Sequence, residues 1–307
     1  MLIIEILYVL SAALLAVYGY NTLILAWLRV WRYTLVLEKQ VAPDFEWPHV
    51  TVQLPIYNER YVVNRLIESV VQLKYPRDRL EIQVLDDSTD DTGQIVASAV
   101  ARQRARCFDI YHIQRADRQG YKGGALEHGL TSAKGEFVAI FDADFLPPPD
   151  FLEKMIPHFA DSPETGCLQA RWGHINPESS WLTRAQATGI DGHFIIEQET
   201  RSAKGTFLNF NGTAGIWRRA CIEDAGGWHH DTLTEDLDLS YRAQLRGWRI
   251  RYLPHVIAPA ELPAHITAYK RQQFRWAKGS IQTAVKSLGS LWRSRFPVVV
   301  KIEGTIH

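Results

Sequence analysis

Cysteine is scarce in this sequence, and neither sign of charge is in excess. The 307 residues include only three cysteines, Cys107, Cys167 and Cys221, which lie far apart and form no Cys-x-x-Cys pair. An odd, dispersed set of this kind excludes a disulfide framework and a thiolate zinc site, and it favours reducing surroundings. The 34 basic residues balance 34 acidic ones. This balance argues against nucleic acid as a partner, because nucleic-acid-binding proteins normally carry a basic excess.

The sequence contains no internal repeat and no low-complexity tract, and its composition is that of a folded protein. Hydrophobic residues make up 46% of the chain and charged residues 22%, which excludes an intrinsically disordered chain. A chain of this length buries enough surface for one large domain or two small ones.

A long uncharged segment lies near the start of the chain, from Ile6 to Leu28. As a helix it spans about 34 Å, enough to cross a hydrocarbon core of about 30 Å. A cleaved signal peptide would need a positive N-terminal region and a shorter apolar run. We therefore predict a transmembrane helix. Arg29, Arg32 and Lys39 follow the segment and, by the positive-inside rule, place the rest of the chain in the cytosol. Trp27, Trp31 and Tyr33 suit the interfacial belt of such a helix.

Beyond a proline-containing linker, apolar strands alternate with helical segments. The predicted strands are Val50–Leu54, Leu80–Leu85, Phe108–Ile113 and Phe137–Phe141. The predicted helices between and after them are Arg60–Leu73, Thr92–Arg106, Gly123–Ser132 and Phe151–Ala160. This alternation predicts an α/β nucleotide-binding fold with a mostly parallel sheet, in which ligands bind beyond the carboxyl ends of the strands. The less regular second half has predicted helices at Trp181–Thr200, Glu235–Arg246 and His265–Lys286.

Carboxylates follow two of the predicted strands. Asp142 and Asp144 come directly after the strand Phe137–Phe141, and side chains two apart on an extended backbone point to one face. Such a pair suits Mg²⁺ or Mn²⁺ with phosphate oxygens in the open positions, although two solvated turn aspartates would look the same. Asp86 and Asp87 follow the strand Leu80–Leu85. They would repel each other without a ligand or cation, whereas Asp90 or Asp91 suits the cap of the next helix.

Three further segments carry polar side chains in patterns that suit catalysis. Gly120-Tyr121-Lys122-Gly123-Gly124 is either a glycine turn or a backbone approach to phosphate with Lys122 as a point charge. Thr234-Glu235-Asp236 opens a predicted helix with Thr234 as its cap, and one of its carboxylates could act as a general base. In Gln272-Gln273-Phe274-Arg275-Trp276 the guanidinium suits a diphosphate and the indole suits a sugar ring.

Taken in order, these motifs resemble the family 2 inverting glycosyltransferases of the cellulose synthase superfamily, and most of all the plant cellulose-synthase-like mannan and glucomannan synthases. The resemblance covers roughly 50 to 279. It is carried by PIYNE from Pro55, by QVLDDSTDDT, GYKGGAL, FDADFLPPPDFL, QARW, FNGTAGIWR and TEDLDLSYRAQLRGW, and by QQFRW from Gln272.

The resemblance implies a GT-A type fold and a role for each matching residue. The nucleoside would be held by Tyr57, Glu59 and Asp86 or Asp87. The diphosphate would face Lys122, Arg275 and Asp142, and the metal would be carried by Asp144 with Asp142. Asp236 would deprotonate the acceptor, and Asp86 is placed with it in the catalytic set. The acceptor site would be lined by Trp276, Gln272, Phe210, Asn211, Gly212 and Thr213. The amino-acid sequence of Phe210–Thr213 differs from that of the corresponding segment in cellulose synthases.

The implied activity is the transfer of a hexose from GDP-mannose or UDP-glucose to the growing end of a β-glycan, with Mg²⁺ or Mn²⁺ as cofactor. A single transfer to a membrane lipid and a nucleotide-sugar-binding scaffold without turnover remain alternatives. The expected location is a membrane (plasma or inner membrane, or the Golgi in a eukaryote), with the catalytic domain in the cytosol.

Four parts are predicted from the sequence and the resemblance: a membrane helix at 1–33, a linker at 34–48, the transferase domain at 49–287 and the start of a membrane-proximal region at 288–307. Processive members of the resembled family continue into several membrane spans after the QxxRW helix, so we expect a corresponding part to be missing here.

Overall fold

The structure is a computed structural model that describes residues 2–31, 44–160 and 162–306. In this part of the chain seven strands form a single sheet in the order β3-β2-β1-β4-β6-β5-β7. The strands are β1 (Val50–Ile56), β2 (Leu80–Asp86), β3 (Ile110–Gln114), β4 (Phe137–Ile140), β5 (Thr165–His174), β6 (Gly215–Arg218) and β7 (Arg249–Ala260).

The α-helices of the described chain lie before, between and after these strands in the sequence. They are α1 (Leu2–Trp31), α2 (Val63–Val70), α3 (Thr92–Arg104), α4 (Tyr121–Ser132), α5 (Phe151–Met155), α6 (Trp181–Asp191), α7 (Glu199–Lys204), α8 (Arg219–Asp224), α9 (Glu235–Leu245), α10 (Ile266–Arg293) and α11 (Val298–Ile306). A π-helical segment, Gly192–Gln198, joins α6 to α7 and is called the π-turn below. The single helix predicted at Trp181–Thr200 is therefore interrupted, and α10 continues past its predicted end to Arg293.

The sheet direction confirms the predicted α/β fold with a mostly parallel sheet. β3, β2, β1 and β4 are parallel neighbours, and β5 and β7 are also parallel. β6 lies between the two groups and is antiparallel to both β4 and β5. The carboxyl ends of β1, β2 and β4 therefore meet at one edge of the sheet, where ligands bind in folds of this type.

Alternation along β4 explains how the sheet is covered on both faces. Phe137 and Ala139 join one apolar core together with side chains from α2, α3 and α5. Val138 and Ile140 join a second core with side chains from α4, α8 and α9. Successive strand side chains point to opposite faces, so a strand buried on both sides reads as a continuous apolar run. This is why FVAIF was recognisable in the sequence.

The predicted membrane segment lies within α1, which is long and apolar enough to cross a membrane by length and composition. Its last turns contact the domain. Leu25 is buried, and the Arg29 side chain donates to the Ile195 carbonyl at 3.2 Å and pairs with Glu199 at 3.0 Å. The predicted flanking residues Arg32, Tyr33 and Lys39, and the first part of the predicted linker, 34–43, lie outside the described residues. The division into four parts stays a prediction.

Candidate active site

Lys122 connects the acidic end of β4 to two segments from the second half of the chain. Its Nζ lies 2.5 Å from Asp142 Oδ1 and 4.0 Å from Glu235 Oε1, and it donates to the Gly212 carbonyl at 2.9 Å. The first turn of α4 supplies this lysine; the helix begins two residues before its predicted start at Gly123. An ammonium group at this point is positioned to meet a phosphate beside the Asp142 carboxylate.

Asp144 lies in a cluster of like charges next to this lysine. Burial, followed by the charges of Asp142 and Glu59, raises the pKa of Asp144 to about 7, and Lys122 opposes the rise only in part. Crowded carboxylates that one ammonium group does not neutralise are suited to a hard divalent cation, which prefers oxygen ligands. Asp142 and Asp144 therefore fit Mg²⁺ or Mn²⁺ by their donor chemistry.

A second group of possible metal ligands lies elsewhere. In the described chain His229, Asp231 and Asp238 have ligand atoms within 4.8 Å of one another. The ammonium of Lys286 lies among them, 2.7 Å from Asp231 Oδ1, 2.8 Å from Asp238 Oδ1 and 3.1 Å from His229 Nδ1. Because a lysine already supplies the positive charge, this cluster is an ion-pair network that ties α10 to α9 and not a fitting metal site.

Asp236 lies in the first turn of α9. Its Oδ1 accepts from the Leu237 N–H at 2.9 Å. Burial, followed by the charge of Glu235, raises the pKa of Asp236 to about 7 against the opposing charge of Lys122. A carboxylate with a pKa in this range is a better proton acceptor than an ordinary one. Thr234 occupies the position before the helix, but it does not cap α9 with its side chain, since its hydroxyl lies 3.2 Å from that of Thr283.

The segment Phe210–Thr213 belongs to the predicted acceptor set and is called the acceptor loop below; it lies between Asp236 and Asp142. Gly212 has φ +81°, and a Cβ added there would lie 2.8 Å from Asp236 Oδ2, so glycine is required for both conformation and space. The Thr213 hydroxyl accepts from the Asp142 N–H at 2.9 Å. Phe210 is buried against Trp217, with ring centroids 5.6 Å apart.

A cavity of about 400 Å³ opens beside Asp236. Trp172 and Trp276 lie on its wall with ring centroids 6.4 Å apart. The wall also includes Phe210, Asn211 and Gln272 of the predicted acceptor set, together with His193, Phe194 and Tyr269. Aromatic planes with polar groups between them suit a sugar. Trp172 belongs to the QARW motif, which contributes to the family resemblance but had no predicted role. His193 belongs to none of the motifs.

The predicted nucleoside residues lie at the ends of β1 and β2, and each of the two aspartates has a partner on or after β3. Asp86 has no exposed side-chain surface and accepts from His112 at 2.8 Å and from Gln114 at 3.2 Å. Burial alone would raise its pKa, but hydrogen bonds from His112 and Ser88 lower the pKa below its usual value. Arg115 forms a two-bond pair with Asp87.

Arg118 provides a further contact at the same end of the site, because its guanidinium carbon lies 3.2 Å from the centre of the half-exposed Tyr57 ring. No motif in the sequence pointed to the four polar partners His112, Gln114, Arg115 and Arg118. The rule that parallel strands end at one edge also applies to β3 and would have pointed to this segment.

Arg275 is the one predicted site residue that stands apart. It is exposed on α10, and within the described chain it contacts neither Lys122 nor the carboxylates of the β4 end. Trp276 and Gln272 of the same motif face the cavity. Because side chains one position apart on a helix point about 100° apart, the motif divides between the cavity and the surface. The roles of all these residues stay predictions.

The sequence matches a family model described as "Glycosyltransferase like family 2" over residues 48–279. Glucomannan 4-beta-mannosyltransferase 2 of Arabidopsis thaliana is 44% identical over 252 residues, which are 81% of this chain and 47% of that protein. Probable glucomannan 4-beta-mannosyltransferase 7 of Oryza sativa subsp. japonica is 44% identical over 238 residues, 76% of this chain and 41% of that protein. The chain thus spans about half the length of the curated relatives it matches.

Solved structures share the fold. The mannosyltransferase PcManGT from Pyrobaculum calidifontis, in complex with GDP-Man and Mn²⁺, matches with a TM-score of 0.75 at 25% identity, over 97% of this chain and 79% of that one. S. aureus TarS in complex with UDP-GlcNAc matches with a TM-score of 0.59 at 18% identity, over 84% and 70% of the two chains. The second likeness concerns the fold alone.

Proposed function

The chain belongs to glycosyltransferase family 2, and on that premise we propose that it is an inverting hexosyltransferase that extends a β-glycan from a nucleotide-sugar donor. The observation that carries the proposal is the position of Lys122. Its ammonium lies between Asp142 at the end of β4 and the Gly212 carbonyl of the acceptor loop, and a Cβ added at Gly212, the third loop residue, would lie 2.8 Å from Asp236 Oδ2. A diphosphate on one side and an acceptor on the other would meet at this point.

The proposed reaction is one in-line displacement at the anomeric carbon of the donor. The acceptor hydroxyl oxygen forms the new bond to that carbon, the bond to the diphosphate oxygen breaks, and the acceptor proton passes to Asp236. Lys122 faces the negative charge that develops on the leaving nucleoside diphosphate. A single displacement inverts the configuration, so an α-linked donor gives a β-glycoside. Glu235 lies 4.0 Å from Lys122. We therefore place its side chain towards the donor diphosphate, and that of Asp236 towards the acceptor.

Asp142 and Asp144 would hold the divalent cation. Mg²⁺ or Mn²⁺, when bound, would neutralise part of the diphosphate charge. The crowding of carboxylates around Asp144 supports this role, and the related PcManGT structure is in complex with Mn²⁺. At the other end of the donor, Tyr57 and Asp87 would contact the nucleoside. Asp86, enclosed by His112 and Gln114, would shape that pocket without touching the reacting atoms.

GDP-mannose is the donor that we propose. The matched relatives from Arabidopsis and rice are named as glucomannan mannosyltransferases, and PcManGT is in complex with GDP-Man. The acceptor would be a glycan that enters the cavity between Trp172 and Trp276.

We also propose that α1 crosses a membrane and that the domain lies on the cytosolic side. The support is the length and apolar composition of α1 and the basic residues that follow it in the sequence. Protease added to sealed inside-out vesicles should digest the domain. Protection from protease there, with digestion from the opposite side, would reverse the topology.

The activity is tested with the intact protein in detergent, radiolabelled GDP-mannose and UDP-glucose in parallel, and mannan oligosaccharides as acceptors. We expect incorporation of mannose with release of free GDP, and linkage analysis should show β-glycosidic bonds. Asp236→Asn is the control and should incorporate almost none. Product lengths separate polymer extension from single transfer. Donor binding without release of GDP would indicate a scaffold and refute the proposal.

A further inference from the structure

His193 belongs to a hydrogen-bond network on the wall of the acceptor cavity. It lies in the π-turn and lines the cavity together with Asn211. Its Nδ1 is 3.0 Å from Glu197 Oε2, and its Nε2 is 3.1 Å from Asn211 Nδ2. Short π-helical segments within helices occur often at functional sites. Here the π-turn is the segment that brings His193 to the cavity while Gln198 stays fully buried behind it.

The direction of these hydrogen bonds follows from one backbone carbonyl. The Asn209 carbonyl oxygen can only accept, so the side-chain nitrogen of Gln198, 3.2 Å away, must donate to it. The same nitrogen donates to Asn211 Oδ1 at 2.8 Å and also lies 3.2 Å from His193 Nε2. Asn211 therefore presents its Nδ2 to His193, and Nε2 of His193 must accept. A neutral imidazole that accepts at Nε2 carries its hydrogen on Nδ1 and donates it to Glu197.

Glu197 is suited to accept that hydrogen. Burial raises its pKa, but the hydrogen bond from His193 and the charge of Arg201 lower it more, so that the pKa lies below its usual value. An ionised carboxylate only accepts, which agrees with the direction derived from Asn209. Arg29 of α1 donates to the Ile195 carbonyl in the π-turn. The network is thus supported from behind by α1.

Asn211 belongs to the acceptor loop, and the residues after it contact the donor side. The Gly212 carbonyl accepts from Lys122 and the Thr213 hydroxyl accepts from the Asp142 N–H, both at 2.9 Å. We propose that His193 is a positioning residue, which through Asn211 fixes the acceptor loop and thereby aligns the acceptor hydroxyl with Asp236. This inference rests on the proposed glycosyl transfer, and it assigns a role in acceptor alignment to a residue outside the motifs.

The test is steady-state kinetics on the intact protein with GDP-mannose and mannan oligosaccharides. His193→Phe keeps a ring of similar size but removes both ring nitrogens, the acceptor Nε2 and the donor Nδ1. We expect the acceptor KM to rise about tenfold, the scale of the one hydrogen bond by which His193 holds Asn211, with the donor KM unchanged. His193→Gln places a side-chain oxygen near the position of Nε2 and should restore most of the wild-type acceptor KM, which a purely steric role of the ring would not allow.

His174→Phe is the matched control. His174 is also largely buried and bonded to a carboxylate, Asp191 at 3.3 Å, but it has no hydrogen bond to Asn211. This variant should keep the wild-type acceptor KM. An unchanged acceptor KM in His193→Phe, equal damage from His174→Phe, or a parallel rise of the donor KM would overturn the proposal while wild-type transfer stands. A wild-type protein that transfers no sugar would instead refute the proposed function and this inference with it.

Discussion

Gly212 offers a direct test of the geometry at the proposed base. The change is Gly212→Ala, and the structure separates its two effects. The first is backbone strain, because Gly212 has φ +81° and a left-handed conformation costs an L-residue about 1–2 kcal/mol. The second is steric. The new Cβ would lie 2.8 Å from Asp236 Oδ2, so the carboxylate must retreat by about 0.6 Å to reach the 3.4 Å at which ordinary contact begins.

The steric effect should appear in turnover. A displacement of about 1 Å in a reacting group can lower the rate by about 10²-fold, so a shift of this size should lower kcat by about 10- to 100-fold. The strain should appear in stability, as a decrease of about 2–6 °C in Tm for a chain of this size. Donor affinity should change less than kcat, because the carbonyl of residue 212 still accepts from Lys122.

Gly205→Ala is the matched control. Gly205 ends α7 with φ +64°, and a Cβ added there has no heavy atom within 4 Å. It carries the same strain without the contact, so Tm should decrease by a similar amount while kcat stays at the wild-type value. The assays are thermal unfolding and initial rates on both variants. Equal losses of kcat in the two variants, or full activity of Gly212→Ala, would refute the placement of the acceptor loop against Asp236.

Three further predictions follow from the charged groups. Asp144→Asn should weaken metal-dependent donor binding, measured by calorimetry, and abolish turnover; full activity of this variant in EDTA would contradict the metal assignment. Asp236 must be deprotonated to act as a base and has a pKa raised to about 7 by burial and by Glu235, so kcat should rise with pH through about 7. Glu235→Gln should move that midpoint to lower pH, and a flat profile would exclude Asp236 as the base. Lys286→Met should lower the free energy of unfolding by about 1–3 kcal/mol, because Asp238 has no exposed side-chain surface. Lys278→Met, on the exposed side of the same helix, should leave unfolding unchanged.

The parallel half of the sheet could be predicted from the sequence, but the second half could not. β1, β2 and β4 are buried on both faces. β4 reads as a continuous apolar run, and in β1 and β2 apolar residues alternate with single polar ones, a period-2 pattern that also predicts a strand. β5 contains Gln169, Arg171 and His174, whose partners come from other parts of the chain, such as Asp191 for Arg171 and His174. Residues of this kind prevented β5 from being recognised as a strand, because the hydrogen-bond partners that satisfy them are distant in the sequence.

Within the site, too, contacts between residues distant in the sequence could not be predicted. Asp142 could be assigned to the edge of the sheet because it directly follows a recognisable strand, whereas the family resemblance assigned Lys122 to the diphosphate. The pair of Asp87 with Arg115 depends on the path of a loop after β3, which no periodicity describes. His193 was missed for a related reason, since the π-turn inserts an irregularity into a segment that otherwise predicts one continuous helix.

The direction of β6 explains why the acceptor loop reaches the site at all. Ligands in this fold bind beyond the carboxyl ends of parallel strands, yet the acceptor loop lies before the amino end of β6. Had β6 been parallel to β4, the start of β6 would lie at the opposite edge of the sheet. Because β6 is antiparallel, Gly215 pairs with Ile140, and the residues before Gly215 lie beside those after Ile140. The bond from the Asp142 N–H to the Thr213 hydroxyl is the direct result. One reversed strand thus brings the proposed acceptor side and the proposed metal side of the reaction together.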